Sequence, residues 1–246
     1  MKHPWGTANI TKSAGVADAV NGIINELEAL AIDGDLIKDR FHVGAIGYHG
    51  RGAESLLKIE SSNSQQDLWP ISALTQARVA YMRSNNISPF GYQHRWVEPK
   101  SYGGTPANYA FERALASLEP WVAEHRPSFP PLVFNITDGE FSPGHDPEVS
   151  VRRLQSLATD DGESLVLNVH ISSTPEGDVV FPLSHDELPA GDDFAHRLFD
   201  LSSKLPVNVT EPAELRAGAR GFAYNRPVSH LFKFLQIGTR VLSKRI

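Results

Sequence analysis

From Ser13 to Ile32 the residues Val16, Val20, Ile23, Ile24, Leu27 and Leu30 recur at three- and four-residue steps. That spacing gathers them on one stripe of an amphipathic helix and leaves the polar positions to water. Gly34 stands where such a helix should stop. The period then changes. "FHVGAIGY", Phe41 to Tyr48, is a short apolar run with charge before it and "HGRG" after it, and it reads as a strand buried on both faces of a parallel sheet. Between Gly50 and Lys100 the patterning is weaker: "SLLKIE" reads as an edge strand, "ISALTQARVAYM" as a helix, and "SSNSQQD" and "RSNNISPFG" as loops.

Strong periodicity returns in "GGTPANYAFERALASLEPWV", where Phe111, Leu115, Leu118 and Val122 form a helical stripe, with Thr105 as the expected N-cap and Pro106 in the first turn. "PPLVFNITDG" reads as the next strand, followed by a helix from about Asp146 to Ala158 and the strand "SLVLNVHIS". A short strand "DVVFPL", a helix near Asp192 to Ser202 and a last helix carrying Val228, Leu231, Phe232, Leu235 and Val241 complete the chain. Strands that alternate with helices predict an α/β fold with a doubly wound, mostly parallel sheet and helices on both faces. No repeat, long linker or low-complexity tract divides residues 1–246, so one domain is expected.

Composition narrows the classes of function. A chain of 246 residues, 41% hydrophobic and 21% charged, has ordinary globular composition, and no segment approaches the ~20 apolar residues needed to span a bilayer. A net charge of −6 with scattered Lys and Arg argues against nucleic acid as a partner. The absence of cysteine excludes disulfides, thiolate metal sites and thiol nucleophiles, and suits a cytoplasmic protein. The opening "MKHPWGTANI" has neither the apolar region nor the small-residue cleavage site of a secretory signal.

In open α/β sheets ligands bind beyond the carboxyl ends of the strands, where strand order reverses. Two stretches are expected there. Asp138 ends the strand "LVFNIT", and Thr105 lies in a Gly-Gly loop that enters a helix. A carboxylate and a hydroxyl with water are the oxygen ligands Mg²⁺ prefers, so a divalent-cation site is expected. Taken singly, Thr105 reads first as a helix cap and Asp138-Gly139 as a turn after a strand; it is their combination that points to the cation.

Together the two loops resemble a family. "GGTPANYAFERAL" and "LVFNITDGEFSPG" are similar to the second and third metal-binding loops of von Willebrand factor A domains. "HVGAIGYHG" resembles the strand that follows that family's first helix, and "RWVEPKSYGGTP" the approach to the Thr loop in stand-alone bacterial members; the likeness runs from about Lys12 to Arg240. The resemblance implies a protein-recognition module in which Thr105 and Asp138 bind Mg²⁺ or Mn²⁺, flanked by Gly103, Gly104, Gly139 and Glu140 in the ligand-binding loops. It implies that a partner protein supplies an acidic residue to the metal, and it points to serine/threonine kinases or phosphatases in bacterial signalling or stress response, without catalysis or membrane attachment. The family's first central strand and its Asp-x-Ser-x-Ser motif have no counterpart here, so the expected site is incomplete and its metal weakly held. A translated strand upstream of Met1 is expected to supply the motif.

Two other classes remain open. A metal-dependent hydrolase or phosphotransferase would use Asp138 with His145, Asp146 or His185, although the His-Glu-x-x-His, Gly-x-Ser-x-Gly and phosphate-loop spacings are absent. His145-Asp146 also reads as a loop and cap, His185-Asp186-Glu187 as solvated loop, and His42 and His170 as hydrogen-bonded core residues. A metal-independent scaffold would use the aromatics of "SPFGYQHRW" as anchors, a stretch otherwise expected to pack over the sheet edge.

Overall fold

The computed structural model describes residues 10–50, 52–57, 59, 66–87, 93–101, 103–172, 177–206 and 216–225. Five α-helices are described: α1 Lys12–Ala31, α2 Ile71–Ser84, α3 Ala107–Glu124, α4 Glu148–Ser156 and α5 Asp193–Leu201. The strands of one hairpin and of the main sheet are β1 Ile46–His49, β2 Gly52–Ser55, β3 Leu132–Thr137, β4 Leu165–His170, β5 Val179–Val180 and β6 Phe222–Tyr224. The main sheet has four strands in the order β5-β6-β4-β3; β3, β4 and β6 run parallel and β5 is antiparallel at one edge. The molecule is therefore mixed α/β, as the alternation of periods predicts.

Helices cover both faces of this sheet because its strands carry apolar residues on both sides. Val16, Ala19 and Ile23 of α1 pack against Leu167, Val169 and Ile171 and against Phe134 and Ile136. On the other face Ala107, Phe111 and Leu115 of α3 and Val151 and Leu154 of α4 meet Val133 and Val166. The far side of α1 contributes Ala17, Ile24, Leu27 and Ala31 to a second core with Phe41, Trp69, Ile71 and Leu74. So α1 is buried along two stripes, which is why small alanines alternate with its large residues. Thr11 caps it by accepting from the Ala14 N–H at 3.2 Å. It ends at Ala31, and Gly34, with φ 61°, makes the turn that follows.

A buried polar chain crosses the α3–α5 face. The Tyr48 hydroxyl donates to Asn135 Oδ1 at 2.8 Å, Asn135 Nδ2 donates to Asn168 Oδ1 at 2.9 Å, and Asn168 Nδ2 donates to Ser202 Oγ at 3.0 Å and Leu198 O at 3.3 Å. Asn135 and Asn168 are direct neighbours in the β3–β4 register. The chain ties β1, which among the described residues forms no ladder with the main sheet, to that sheet and to α5.

Several expectations are corrected. The run from Phe41 to Tyr48 is not one strand buried in the parallel sheet: half-buried His42–Val43 pairs with Trp69–Pro70, and half-buried Ile46–His49 turns straight back on Gly52–Ser55 in an antiparallel hairpin. His49 and Gly52 of "HGRG" are paired strand residues of that hairpin, so the stretch does not bound a single strand. A strand lies at Gly52–Ser55 and shares only Ser55 with the edge strand expected in "SLLKIE", whose Lys58 and Glu60 lie outside the described residues. Helix α4 starts at Glu148 and stops at Ser156, since Ala158–Thr159 pairs with Gly162–Glu163. Trp96 and Val97 pack on α1 rather than over the sheet edge: both N–H groups donate to Asn21 Oδ1, at 2.6 and 2.9 Å. The last expected helix, from Val228, and residues 88–92 of the aromatic stretch lie outside the described residues. Among the described residues no helix is long and apolar enough to cross a membrane.

Candidate functional site

Strand β3 ends because Thr137 turns onto its own backbone: its hydroxyl donates to Gly139 O at 2.9 Å and accepts from the Gly139 N–H at 3.3 Å. The turn carries Asp138, half-buried, just past the carboxyl end of the strand and leaves Glu140 exposed.

The second loop is built on close backbone approach. The Gly50 N–H donates to Gly103 O at 2.6 Å, and a Cβ on Gly104, which has φ 84°, would stand 2.9 Å from Gly50 Cα. Only glycine meets both demands. The loop is then clamped to the Asp138 side by Ser142, whose Oγ accepts from the Thr105 N–H at 2.8 Å and whose N–H donates to Thr105 O at 3.0 Å.

That clamp corrects the expectation of Thr105 as N-cap. Helix α3 begins at Ala107 with Pro106 in the cap position and no side-chain cap bond. The Thr105 carbonyl instead accepts from the Ala107 N–H at 2.9 Å, and its Oγ1 lies 3.4 Å from where a Cβ on Gly139 would stand. The hydroxyl thus faces the Asp138-Gly139 turn. Of the residues singled out in the sequence, the structure brings together Gly103, Gly104, Thr105, Asp138 and Gly139; Glu140 is at the rim.

Lys12, Tyr48, Asp192 and Tyr224 escape sequence reasoning as site residues, and His170 is expected from the sequence only as a hydrogen-bonded core residue. Lys12, at the start of α1, is 4% exposed, and its ammonium donates to Ile171 O at 3.0 Å and Ser172 O at 3.2 Å, beyond the end of β4. Burial pushes its pKa down, and the negative charge of Asp138 acts against that. Tyr48 brings its phenol close to Thr137 and Asp138; burial pushes it up to about 12, with the Asp138 charge adding to the rise. His170 and Tyr224, ending β4 and β6, meet at Asp192, the N-cap of α5, which accepts from the Tyr224 hydroxyl at 3.0 Å and stands 3.4 Å from His170 Nε2. Burial pushes the His170 pKa down, against the pull of Asp192 and of a hydrogen bond to the Thr137 backbone. Only Asp192 carried a local signal, that of a cap before an apolar stripe.

As a cation site the cluster is sparse. Thr105 and Asp138 offer a hydroxyl and a carboxylate, hard oxygens of the kind Mg²⁺ accepts, but a Mg²⁺ octahedron built on two protein groups would be completed by water. Among the described residues no group of three or more His, Asp or Glu side chains is placed to hold a metal ion. The residues fit a weakly held, water-rich divalent cation.

The side chains that the hydrolase reading needs are engaged elsewhere. His145 Nδ1 meets Asn108 Oδ1 at 2.8 Å; Asp146 caps the Glu148 N–H and takes two bonds from Arg197 Nη2 at 2.9 Å each. His185 bridges His196 at 2.8 Å and Asp200 at 3.0 Å. The expected loop at 185–187 is a short 3₁₀ turn, engaged with α5 rather than merely solvated. A scan against protein-family models and a search of curated proteins found no match to the chain.

Proposed function

We propose that this chain is a protein-recognition module of the von Willebrand factor A type, with a doubly wound sheet, and that its contact surface is the loop cluster at the carboxyl ends of β3 and β4. Thr105 and Asp138 are its ligands for Mg²⁺ or Mn²⁺. A divalent cation held there would offer an open coordination position to a carboxylate from a partner protein, such as a serine/threonine kinase or phosphatase in signalling. One observation carries the reading: Thr105 is withdrawn from helix capping and held by Ser142 so that its hydroxyl faces the Asp138 turn. A threonine serving only the helix would sit one position later and accept from a first-turn N–H.

The test is calorimetric titration with Mn²⁺. Binding in the millimolar range, lost in Asp138→Ala and weakened in Thr105→Val, is the expected result. Equal Mn²⁺ binding by the parent protein and Asp138→Ala would remove these residues from any cation site.

A further inference from the structure

Lys12 is placed where an ammonium is least at home. It is the first residue of α1, the end at which the helix dipole opposes positive charge, and it is buried. An exposed lysine with the same stem would avoid the cost of burial. What holds the charge is the carboxyl end of the sheet: two carbonyls past β4 accept from Nζ, and the carboxylate of Asp138 acts on it through space. The register explains the proximity. Thr137 stands opposite His170, and the Ile171 N–H donates to Thr137 O at 2.8 Å, so Asp138 leaves β3 beside the carbonyl that Lys12 caps on β4. Neighbouring strands lie about 4.8 Å apart.

We infer that the Lys12 ammonium is the built-in counter-charge of the Asp138 loop and competes with a divalent cation for it. The inference rests on the proposed cation site and names its regulator. A second positive charge entering beside Asp138 meets repulsion from Lys12 in a partly desolvated setting, where unit charges several ångströms apart interact far more strongly than in water. The weakness of the site then has two sources, the small number of oxygens and the resident ammonium. A partner that draws Lys12 away from Ile171 and Ser172 would raise metal affinity without adding a ligand.

The experiment is Mn²⁺ titration, followed by the paramagnetic resonance of the free ion, on the parent protein, Lys12→Met, Asp138→Ala and the double variant. Methionine keeps an apolar stem of similar length in the buried channel and removes the charge. Lys12→Met should bind Mn²⁺ at least about tenfold more tightly than the parent, and the gain should vanish in the double variant. If the parent binds Mn²⁺ through Asp138 and Lys12→Met binds it equally, the competition is refuted while the cation site stands. If neither the parent nor Lys12→Met binds, both fall. If the double variant keeps the gain, the metal sits elsewhere and the inference is overturned.

A second measurement needs no variant at Lys12. Trace acetylation by acetic anhydride, read by peptide mass spectrometry, should label Lys12 poorly in the parent and more strongly with millimolar Mg²⁺, and Asp138→Ala should lose the Mg²⁺ effect. Labelling indifferent to Mg²⁺ in a protein that binds it would equally overturn the competition.

Discussion

Asn168→Leu removes the middle of the polar chain that ties β1, β3, β4 and α5 together. Asn168 is 1% exposed and its amide makes three hydrogen bonds, one to Asn135 and two on the α5 side, to Leu198 O and Ser202 Oγ. Leu198 O keeps the Ser202 hydroxyl, which donates to it at 2.8 Å, so the group left stranded is the Asn135 amide N–H, itself 5% exposed. A buried donor without a partner costs about 1–3 kcal/mol, and the two other lost bonds about 1 kcal/mol each. The buried leucine returns about 1.5–2 kcal/mol of transfer free energy. The net expectation is a loss of about 1–3.5 kcal/mol, read from urea midpoints at unchanged slope.

Asn135→Leu should cost a similar amount, because it strands Asn168 Oδ1 and leaves the Tyr48 hydroxyl with only Ile136 O at 3.5 Å. The double replacement removes both ends of the central bond, so it should be less destabilising than the sum of the singles by at least about 1 kcal/mol. Additivity within about 0.5 kcal/mol, or an Asn168→Leu protein as stable as the parent, would refute the chain as a coupled unit.

Gly104→Ala should cost about 2 kcal/mol or more in urea unfolding, since a left-handed φ penalises any Cβ by about 1–2 kcal/mol and the Gly50 backbone stands in its way; a neutral substitution would mean that the loop does not need this approach. Stability should fall on mild acidification. Burial sets the folded pKa values of His42, His94 and His170 below the usual histidine value, so the unfolded chain binds more protons; stability is complete above about pH 6.5 and is lost as pH drops from there towards the folded values. The buried His170 contributes up to about 1.4 kcal/mol per pH unit in that window, and the half-buried His42 and His94 contribute less. His170→Gln should flatten the change in urea midpoint between about pH 7.5 and about pH 5.5. An unchanged pH slope in that variant would assign the effect to other groups.

The periodic segments could be read directly. Val16 to Leu27 and Phe111 to Val122 carry helical spacing strong enough to locate α1 and α3, and "LVFNIT" and "LVLNVH" locate β3 and β4, because each apolar run is confined between turn signals. The Asp138 turn was readable for the same reason, since Thr137 and Gly139 close it within three residues. Strand β6 went unrecognised: Phe222–Tyr224 is three residues long, too short for any period, and is a strand only because β4 and β5 lie on either side of it.

What the sequence determined by itself was local: the α/β alternation, the turn after β3 and the Gly-Gly loop before α3, each encoded by residues within a few positions of one another. What only the tertiary structure decided was company. Whether Phe41 to Tyr48 joins the sheet or folds into a hairpin depends on competition between partners, and whether Thr105 caps a helix or faces Asp138 depends on Ser142, 37 residues away. Lys12 meets Ile171 across 159 residues, and no pattern around Lys12 announces it. Burial of that ammonium and its electrostatic coupling to Asp138 arise when helix and sheet pack together, since chain spacing encodes propensity while charge and desolvation act through space.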